Sequence, residues 1–134
     1  MWLEKFNKKK IEKVKKLTFN FADIKKGQKM LISSPKSISN YIKKIPIGKR
    51  RTIIQMRDSL AKKAKAEKTC PVSTGIFLRI AIEASLEEQK KNKLKKPSLP
   101  FWRIIDENTP ILKKLSISKT MLRKYCKSET NEKN

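Results

Sequence analysis

Few side chains of this chain can carry out covalent chemistry. The sequence contains no histidine, which excludes a histidine general base, a Ser/His or Cys/His nucleophile pair and any zinc site with a histidine ligand. The two cysteines, Cys70 and Cys126, fit neither a metal-ligand spacing nor a disulfide framework, so we expect two partly buried thiols. The carboxylates of Asp106 and Glu107 stand in a turn-like run, where solvation explains them better than catalysis. We therefore predict no catalytic residue, no bound metal and no cofactor.

The charge of the chain indicates a polyanionic partner. Thirty-five Lys and Arg residues against twelve Asp and Glu leave a net charge of +23. A field of that size is typical of proteins that bind nucleic acid. We expect double-stranded DNA, and a repair or regulatory protein could bind as well. The alternatives are RNA, a lysine-rich surface without a partner, and a membrane surface.

The length of 134 residues allows one domain with a modest core. No run of about 18 apolar residues is present, which argues against a membrane span. Met1 is followed by Trp-Leu-Glu-Lys-Phe and then by more charge, without the hydrophobic region of a signal peptide. We therefore expect a cytoplasmic monomer that does not enter a membrane.

One stretch, Leu99-Pro100-Phe101-Trp102-Arg103-Ile104-Ile105, combines two large aromatics with a proline and a cation between lysine-rich flanks. Two interpretations are open for it. It could be a core strand, or the aromatic pair could form the wall of a pocket.

The remaining pattern predicts a mostly helical fold. Residues 1–29 form a basic N-terminal helix and a connector, 30–127 a DNA-binding domain, and 128–134 a polar tail. Apolar spacing places the elements, together with helix-start signals at Ser34-Pro35, at the Thr52-x-x-Gln55 capping box and at Cys70-Pro71. They are helices over Trp2–Leu17, Ser34–Ile45, Thr52–Lys65, Val72–Gln89 and Ser118–Lys127, and short strands at Met30–Ile32 and Ile104–Ile105.

The second and third helices of the domain have the outline of a helix-turn-helix, with Val72–Gln89 as the reader helix. On that helix Ile76, Phe77, Ile80, Ala81 and Ala84 form the predicted apolar stripe. Gly75, Arg79 and Glu83 fall on the opposite, outward face. A glycine there lets a duplex approach the helix backbone closely, or else allows tight packing between helices, and the sequence does not separate the two.

Lysines and arginines flank this unit on both sides. Lys49-Arg50-Arg51 precede the second helix, and Lys90 to Lys96 follow the reader helix as a low-complexity linker. We expect both runs to contact phosphates.

These pieces together resemble the DNA-binding domain of alkylguanine-DNA alkyltransferases, and more closely their non-enzymatic alkyltransferase-like relatives. The resemblance spans about Met30 to Lys127. The stretches that carry it are Ser34-Pro35, Ile45-Pro46-Ile47-Gly48-Lys49, Thr52, Thr74-Gly75-Ile76-Phe77-Leu78-Arg79 and Pro100-Phe101-Trp102-Arg103-Ile104-Ile105.

What the resemblance implies is a small winged-helix-like domain whose helix-turn-helix enters the minor groove. Arg79 stands where the family places the arginine that replaces an extruded guanine, and Gly75 matches a family glycine. Ile53 stands where the family usually has a tyrosine that turns the target phosphate. The DNA contacts expected on this basis are Lys49, Arg50, Arg51, Thr52, Ile53, Gly75, Arg79, Lys90, Lys91 and Lys93.

The family's reaction is not expected here. Its signature is Pro-Cys-His-Arg, in which the Cys accepts the alkyl group; here Phe101 replaces the Cys and Trp102 the His. A benzene ring has no lone pair for nucleophilic attack and an indole cannot act as the base, so we predict a protein that is not an enzyme.

The chemistry of the replaced signature leaves three hypotheses. The first is a sensor of alkylated guanine for DNA repair, in which Pro100, Phe101, Trp102 and Arg103 form the base pocket and the rings stack on the base. The second is a general DNA or RNA binder whose aromatic pair fills the core. The third keeps Cys70 or Cys126 as an alkyl acceptor.

Overall fold

The computed structural model describes residues 1–133, with side chains through Glu129, and within that range the chain is mostly helical, as predicted. Five α-helices and a small three-stranded sheet form the structure. The helices are α1 (Trp2–Asn7), α2 (Pro35–Lys43), α3 (Ile53–Lys63), α4 (Pro71–Lys91) and α5 (Lys119–Lys133). The strands are β1 (Lys13–Lys16), β2 (Lys29–Ile32) and β3 (Lys68–Thr69). Two 3₁₀ turns span Phe101–Arg103 and Pro110–Lys114.

The sheet joins the N-terminal segment to the helical part. Strand β2 lies in the centre, antiparallel to β1 and parallel to β3. Residues Lys16 and Lys29 are directly opposite each other in the β1–β2 ladder. Helices α2 and α3 form the crossover between β2 and β3, and β3 leads straight into α4. The strand predicted at Met30–Ile32 is therefore confirmed.

Three helices begin at the signals predicted for them. The Ser34 hydroxyl caps α2 by accepting a hydrogen bond from the Ser37 N–H, and Pro35 is the first residue of that helix. Thr52 and Gln55 form a reciprocal capping box at the start of α3. Pro71 occupies the first turn of α4, where its missing N–H costs nothing.

The main core lies between α2, α3, α4 and α5, and Phe101 is the largest of its fully buried side chains. Around it pack Ile38 and Ile42 from α2, Met56 from α3, Leu78, Ala81 and Ile82 from α4, and Leu122 and Tyr125 from α5. A second, smaller core lies under the sheet and consists of Leu17, Ile24, Met30 and Cys70.

The predicted N-terminal helix over Trp2–Leu17 is wrong beyond its first turns. Helix α1 ends at Asn7, and Lys13–Lys16 form strand β1 instead. A continued helix would place Lys5, Lys9 and Lys13 one turn apart, where like charges repel, whereas β1 gains a full ladder with β2. The segment predicted as a connector, 18–29, is the folded turn of this hairpin.

Two further predictions near the C-terminus need correction. Ile104 and Ile105 form no strand: their N–H groups bond locally to the Phe101 carbonyl, since no strand is available beside them. Helix α5 continues through most of the predicted polar tail, and Glu129 within it is buried. Asn134, the last residue of that tail, lies outside the described residues.

Glu129 is buried because it pairs with Arg103. The Arg103 Nε donates to Glu129 Oε1 at 2.7 Å, and a second guanidinium nitrogen donates to the same oxygen. Arg103 Nη1 also donates to the Ile45 carbonyl at 2.8 Å, and the Gly48 N–H donates to Glu129 Oε2 at 3.2 Å. Burial opposes ionisation, but the hydrogen bonds from Arg103 and Gly48 outweigh it and hold the pKa of Glu129 below its ordinary value.

We expect Glu129→Gln to destabilise the fold by about 3 kcal/mol at neutral pH, because it leaves the largely buried Arg103 without its counter-charge. The lowered pKa means that the wild-type carboxylate stabilises the fold at neutral pH and that this contribution is lost as pH falls through the folded-state value. Urea unfolding at several pH values measures the difference between the two proteins, which should shrink towards acid pH. The matched control is Glu107→Gln, which breaks the exposed pair with Arg123 and should cost less than about 1 kcal/mol. Equal losses in the two variants would contradict the assignment.

Candidate nucleic-acid interface

The start of α4 carries exposed residues on one side. Its N-cap is Cys70, whose carbonyl accepts a hydrogen bond from the Thr74 hydroxyl at 2.6 Å. Thr74 and Leu78 turn inward and are buried, whereas Val72, Gly75 and Ile76 face outward. Ile76 keeps 55% of its surface exposed. The first two turns of α4 therefore present an apolar ridge with a glycine in it.

The face that α4 buries differs from the predicted one. Ile76 is exposed rather than inward, and the buried side includes Leu78 and Ile82, which the stripe left out. Glu83, predicted outward, is buried and accepts hydrogen bonds from the Ser116 N–H and hydroxyl. A single stripe fails because α4 packs against α2 on one side and α1 on another, so that every residue from Ala81 to Ser85 is buried.

Gly75 has open space around it. A Cβ built at this position meets no atom within 4 Å outside its own helix turn. Tight helix packing, one of the two reasons considered for this glycine, is therefore ruled out among the described residues. A helix-interior glycine costs about 0.5–1 kcal/mol relative to alanine, and nothing in the fold offsets that cost.

Arg79 is not the free outward cation that the pattern predicts. Its guanidinium carbon lies 5.1 Å from the centre of the Trp2 ring, and its Nε is buried with no hydrogen-bond partner among the described residues. Helix α1 places Trp2 there, because the backbone N–H of Trp2 and the N-terminal ammonium group both donate to the Glu87 carboxylate, at 2.8 and 3.0 Å. Sequence reasoning missed Trp2, since nothing in the pattern links α1 to the middle of α4.

A run of three cations directly precedes α3. Lys49, Arg50 and Arg51 are all exposed. The loop is held against the core by its backbone and by one side chain: the Arg51 backbone N–H donates to the Arg103 carbonyl at 2.9 Å, and the Arg50 guanidinium donates from Nη2 to the Ile105 carbonyl at 3.0 Å. The three predicted phosphate contacts therefore stand on a fixed loop.

A groove of about 680 Å³ opens at the start of α4, and a neighbouring pocket lined by Arg50 and Arg51 shares Ile53 and Thr109 with it. The first turns of α4 form one wall of the groove, and Ile53 at the start of α3 and the 3₁₀ turn Pro110–Lys114 form another. Ile53, placed among the DNA contacts by resemblance, lines it half-buried, while the neighbouring Thr52 is used as the helix cap. Trp2, Lys5, Ile76, Ile111 and Lys114 also line the groove and were not predicted from the sequence.

The lysines after α4 lie elsewhere. Lys90 and Lys91 end the helix and Lys93 follows it, all exposed. At about 1.5 Å per residue, Lys90 is roughly 22 Å from Gly75 along the helix axis. The structure does not bring this predicted contact run together with the exposed start of α4.

The predicted base pocket is part of the core. Phe101 is fully buried, and Trp102 and Pro100 are buried as well. The Trp102 ring stacks on Tyr125 at 5.1 Å and meets Phe101 edge-on at 5.4 Å, while Arg103 is engaged by Glu129. The interpretation of these residues as a pocket wall is therefore wrong for the fold as it stands, and the core interpretation is the one that fits.

Comparisons of the chain with protein-family models, with curated proteins and with solved structures find no match. The resemblance to alkyltransferases thus rests on the residues that carry it and stays a prediction. Three features of the fold can be compared with it: the exposed residues at the start of α4, the cationic loop before α3, and the groove that α4 forms with Ile53 and the turn Pro110–Lys114.

Other chemistry has little support in the described part of the chain. No group of three or more acidic, cysteine or histidine side chains there could hold a metal ion. Cys70 is buried and its sulfur accepts a hydrogen bond from the Ser73 N–H at 3.5 Å, while Cys126 is half-buried beside Arg50 and Trp102. No helix within residues 1–133 is long and apolar enough to cross a membrane.

We expect Trp102→Ala to destabilise the protein by about 3–5 kcal/mol, because it empties a packed aromatic cluster. Thermal unfolding followed by circular dichroism measures this. Trp2→Ala is the matched control: it removes a surface ring whose contact with Arg79 is worth about 0.5–1 kcal/mol. A Trp102→Ala protein that melts at the wild-type temperature would instead indicate a loosely held pocket residue.

Proposed function

We propose that this is a non-catalytic protein that binds double-stranded DNA with the N-terminal end of α4. The observation that carries the proposal is Gly75: an exposed glycine in a helix interior, with open space over it and no role in packing. Close approach of another molecule to the helix backbone accounts for such a residue. The net charge of +23 supports a polyanion as that molecule.

The residues around Gly75 suit a duplex. Lys49, Arg50 and Arg51 can meet phosphates on one side of the helix, which positions the protein without reading sequence. Ile76 beside the glycine is an exposed apolar side chain of the kind that minor-groove binders insert between base steps. Arg79 one turn further could reach the groove once it leaves the Trp2 ring.

The proposal includes a helix-turn-helix made of α3 and α4, of winged-helix type, since α3 ends shortly before β3 and α4 follows it directly. The absence of a nucleophile at Phe101 supports binding without alkyl transfer. A monomeric state and a cytoplasmic location remain predictions from the sequence.

Gly75→Gln tests the proposal, because it should separate fold from function. The side chain has room and removes a helix-breaking glycine, so the free energy of unfolding should rise by about 0.5–1 kcal/mol. Duplex affinity, measured by fluorescence anisotropy, should fall at least several-fold because the longer side chain keeps the backbone away from the DNA. Ser59→Gln on the exposed face of α3 is the control and should leave affinity unchanged. Unchanged duplex affinity in a folded Gly75→Gln protein would refute the proposal.

A second candidate is the sensing of alkylated guanine, and the groove beside Arg79 is the observation that favours it. The buried Phe101 and Trp102 cannot stack on a base in this fold, whereas the groove is open to solvent and bordered by Trp2, Lys5 and Lys114. Matched duplexes with and without an O6-alkylguanine distinguish the two functions. Tighter binding to the damaged duplex supports sensing, and equal affinities that fall together with salt leave general DNA binding alone. Single-stranded RNA in the same assay shows whether a duplex is required.

A further inference from the structure

The hairpin of β1 and β2 carries a concentration of positive charge that the fold does not use. Its cations are Lys13, Lys15, Lys16, Lys25, Lys26 and Lys29, all exposed. Asp23 is its one acidic residue between positions 13 and 29, and Arg57 and Lys68 already neutralise it, at 2.9 and 3.6 Å. Arg57 in particular holds the pKa of Asp23 below its ordinary value.

The ladder of this hairpin places two like charges opposite each other. Lys16 and Lys29 are register partners across β1 and β2, and such a pairing of like charges destabilises the ladder. Lysines on an edge strand can serve merely to prevent strand addition. That explanation covers β1 but not Lys25 and Lys26, which lie in the turn and outside the ladder.

The turn of the hairpin is ordered, and it exposes an aromatic ring. Phe21 and Ile24 exchange two backbone hydrogen bonds of 2.8 Å, and the side chains of Asn20 and Gln28 accept from the N–H groups of Lys26 and Lys25. Phe19 nevertheless keeps 62% of its surface exposed. A rigid turn that holds an aromatic side chain outward among lysines is typical of a nucleic-acid contact.

The turn also lies beside the start of α4. Leu17 and Ile24 share the small core with Cys70, the N-cap of α4. Arg57 bridges Asp23 in the turn and the Thr69 carbonyl at the end of β3, at 2.8 to 3.2 Å. The cations of the turn are therefore fixed near the end of α4 that carries Gly75, unlike Lys90 and Lys91 at the other end.

We infer that the β1–β2 hairpin is a second contact element for the DNA backbone, which extends the interface at the start of α4 along the duplex. This inference rests on the proposed function. Lys16, Lys25 and Lys26 neutralise phosphates of the flanking backbone, and Phe19 lies against the sugars of the minor groove. Binding of the duplex also relieves the repulsion between Lys16 and Lys29.

The test is the salt dependence of duplex affinity for the full chain and two triple variants of equal charge. The first is Lys16→Gln with Lys25→Gln and Lys26→Gln, and the control is Lys90→Gln with Lys91→Gln and Lys93→Gln. Each lost phosphate contact lowers the slope of log affinity against log salt by about 0.9, so the hairpin variant should lose about 2 to 3 and the control less than about 1. The melting temperature of the hairpin variant should not fall, because its lysines are exposed and Lys16 is repelled by Lys29.

Phe19→Ala removes the exposed ring without changing the charge of the hairpin. Duplex affinity should therefore fall several-fold, while the slope of log affinity against log salt stays unchanged. Equal slope losses in the two triple variants, or none in either, would overturn the hairpin inference. If the two triple variants have equal slopes while Gly75→Gln still weakens duplex binding, the proposed function stands and only the role of the hairpin as a DNA contact is excluded. Wild-type protein that fails to bind the duplex overturns both.

Discussion

The buried ion pair of Arg103 and Glu129 joins the parts of the chain on which the candidate interface depends. Through it α5 is tied to the turn after Pro100, to the Ile45 carbonyl at the end of α2 and to the Gly48 N–H. The Arg103 carbonyl in turn fixes the Arg51 backbone. The cationic loop before α3 is thus held by a charge pair in the core, and the cost of burying that pair is offset by hydrogen bonds on both partners.

The aromatic pair beside Arg103 has a structural role. Phe101 is fully buried and clusters with Trp102 and Tyr125 through ring contacts of 5.1 to 6.1 Å. Burial of these large apolar rings stabilises the core.

Local signals in the sequence predicted the helices of the domain and failed where distant segments meet. Ser34-Pro35 and the Thr52–Gln55 box placed α2 and α3 correctly, because capping is settled within a few residues. Strand β1 was missed because a lysine-rich strand gains its order only from β2. The burial of Arg79 was missed for the same reason, since Trp2 reaches it through a helix far away in sequence. The sequence pointed to the cationic loop, Gly75 and the groove-lining Ile53 as candidate contacts. The groove and the hairpin turn could be recognised only in the structure, because the segments that line the groove, and those that pack against the turn, are distant in sequence.

We propose that a DNA duplex binds at the exposed start of α4 and at the elements fixed around it. Amide chemical-shift mapping by NMR, with a short duplex added to the labelled protein, shows where the duplex binds. We expect the largest shifts on residues 49–55 and 72–79, smaller shifts in the hairpin turn and little change at Lys90 to Lys93. Shifts concentrated at the far end of α4, or spread evenly over all exposed lysines, would contradict it.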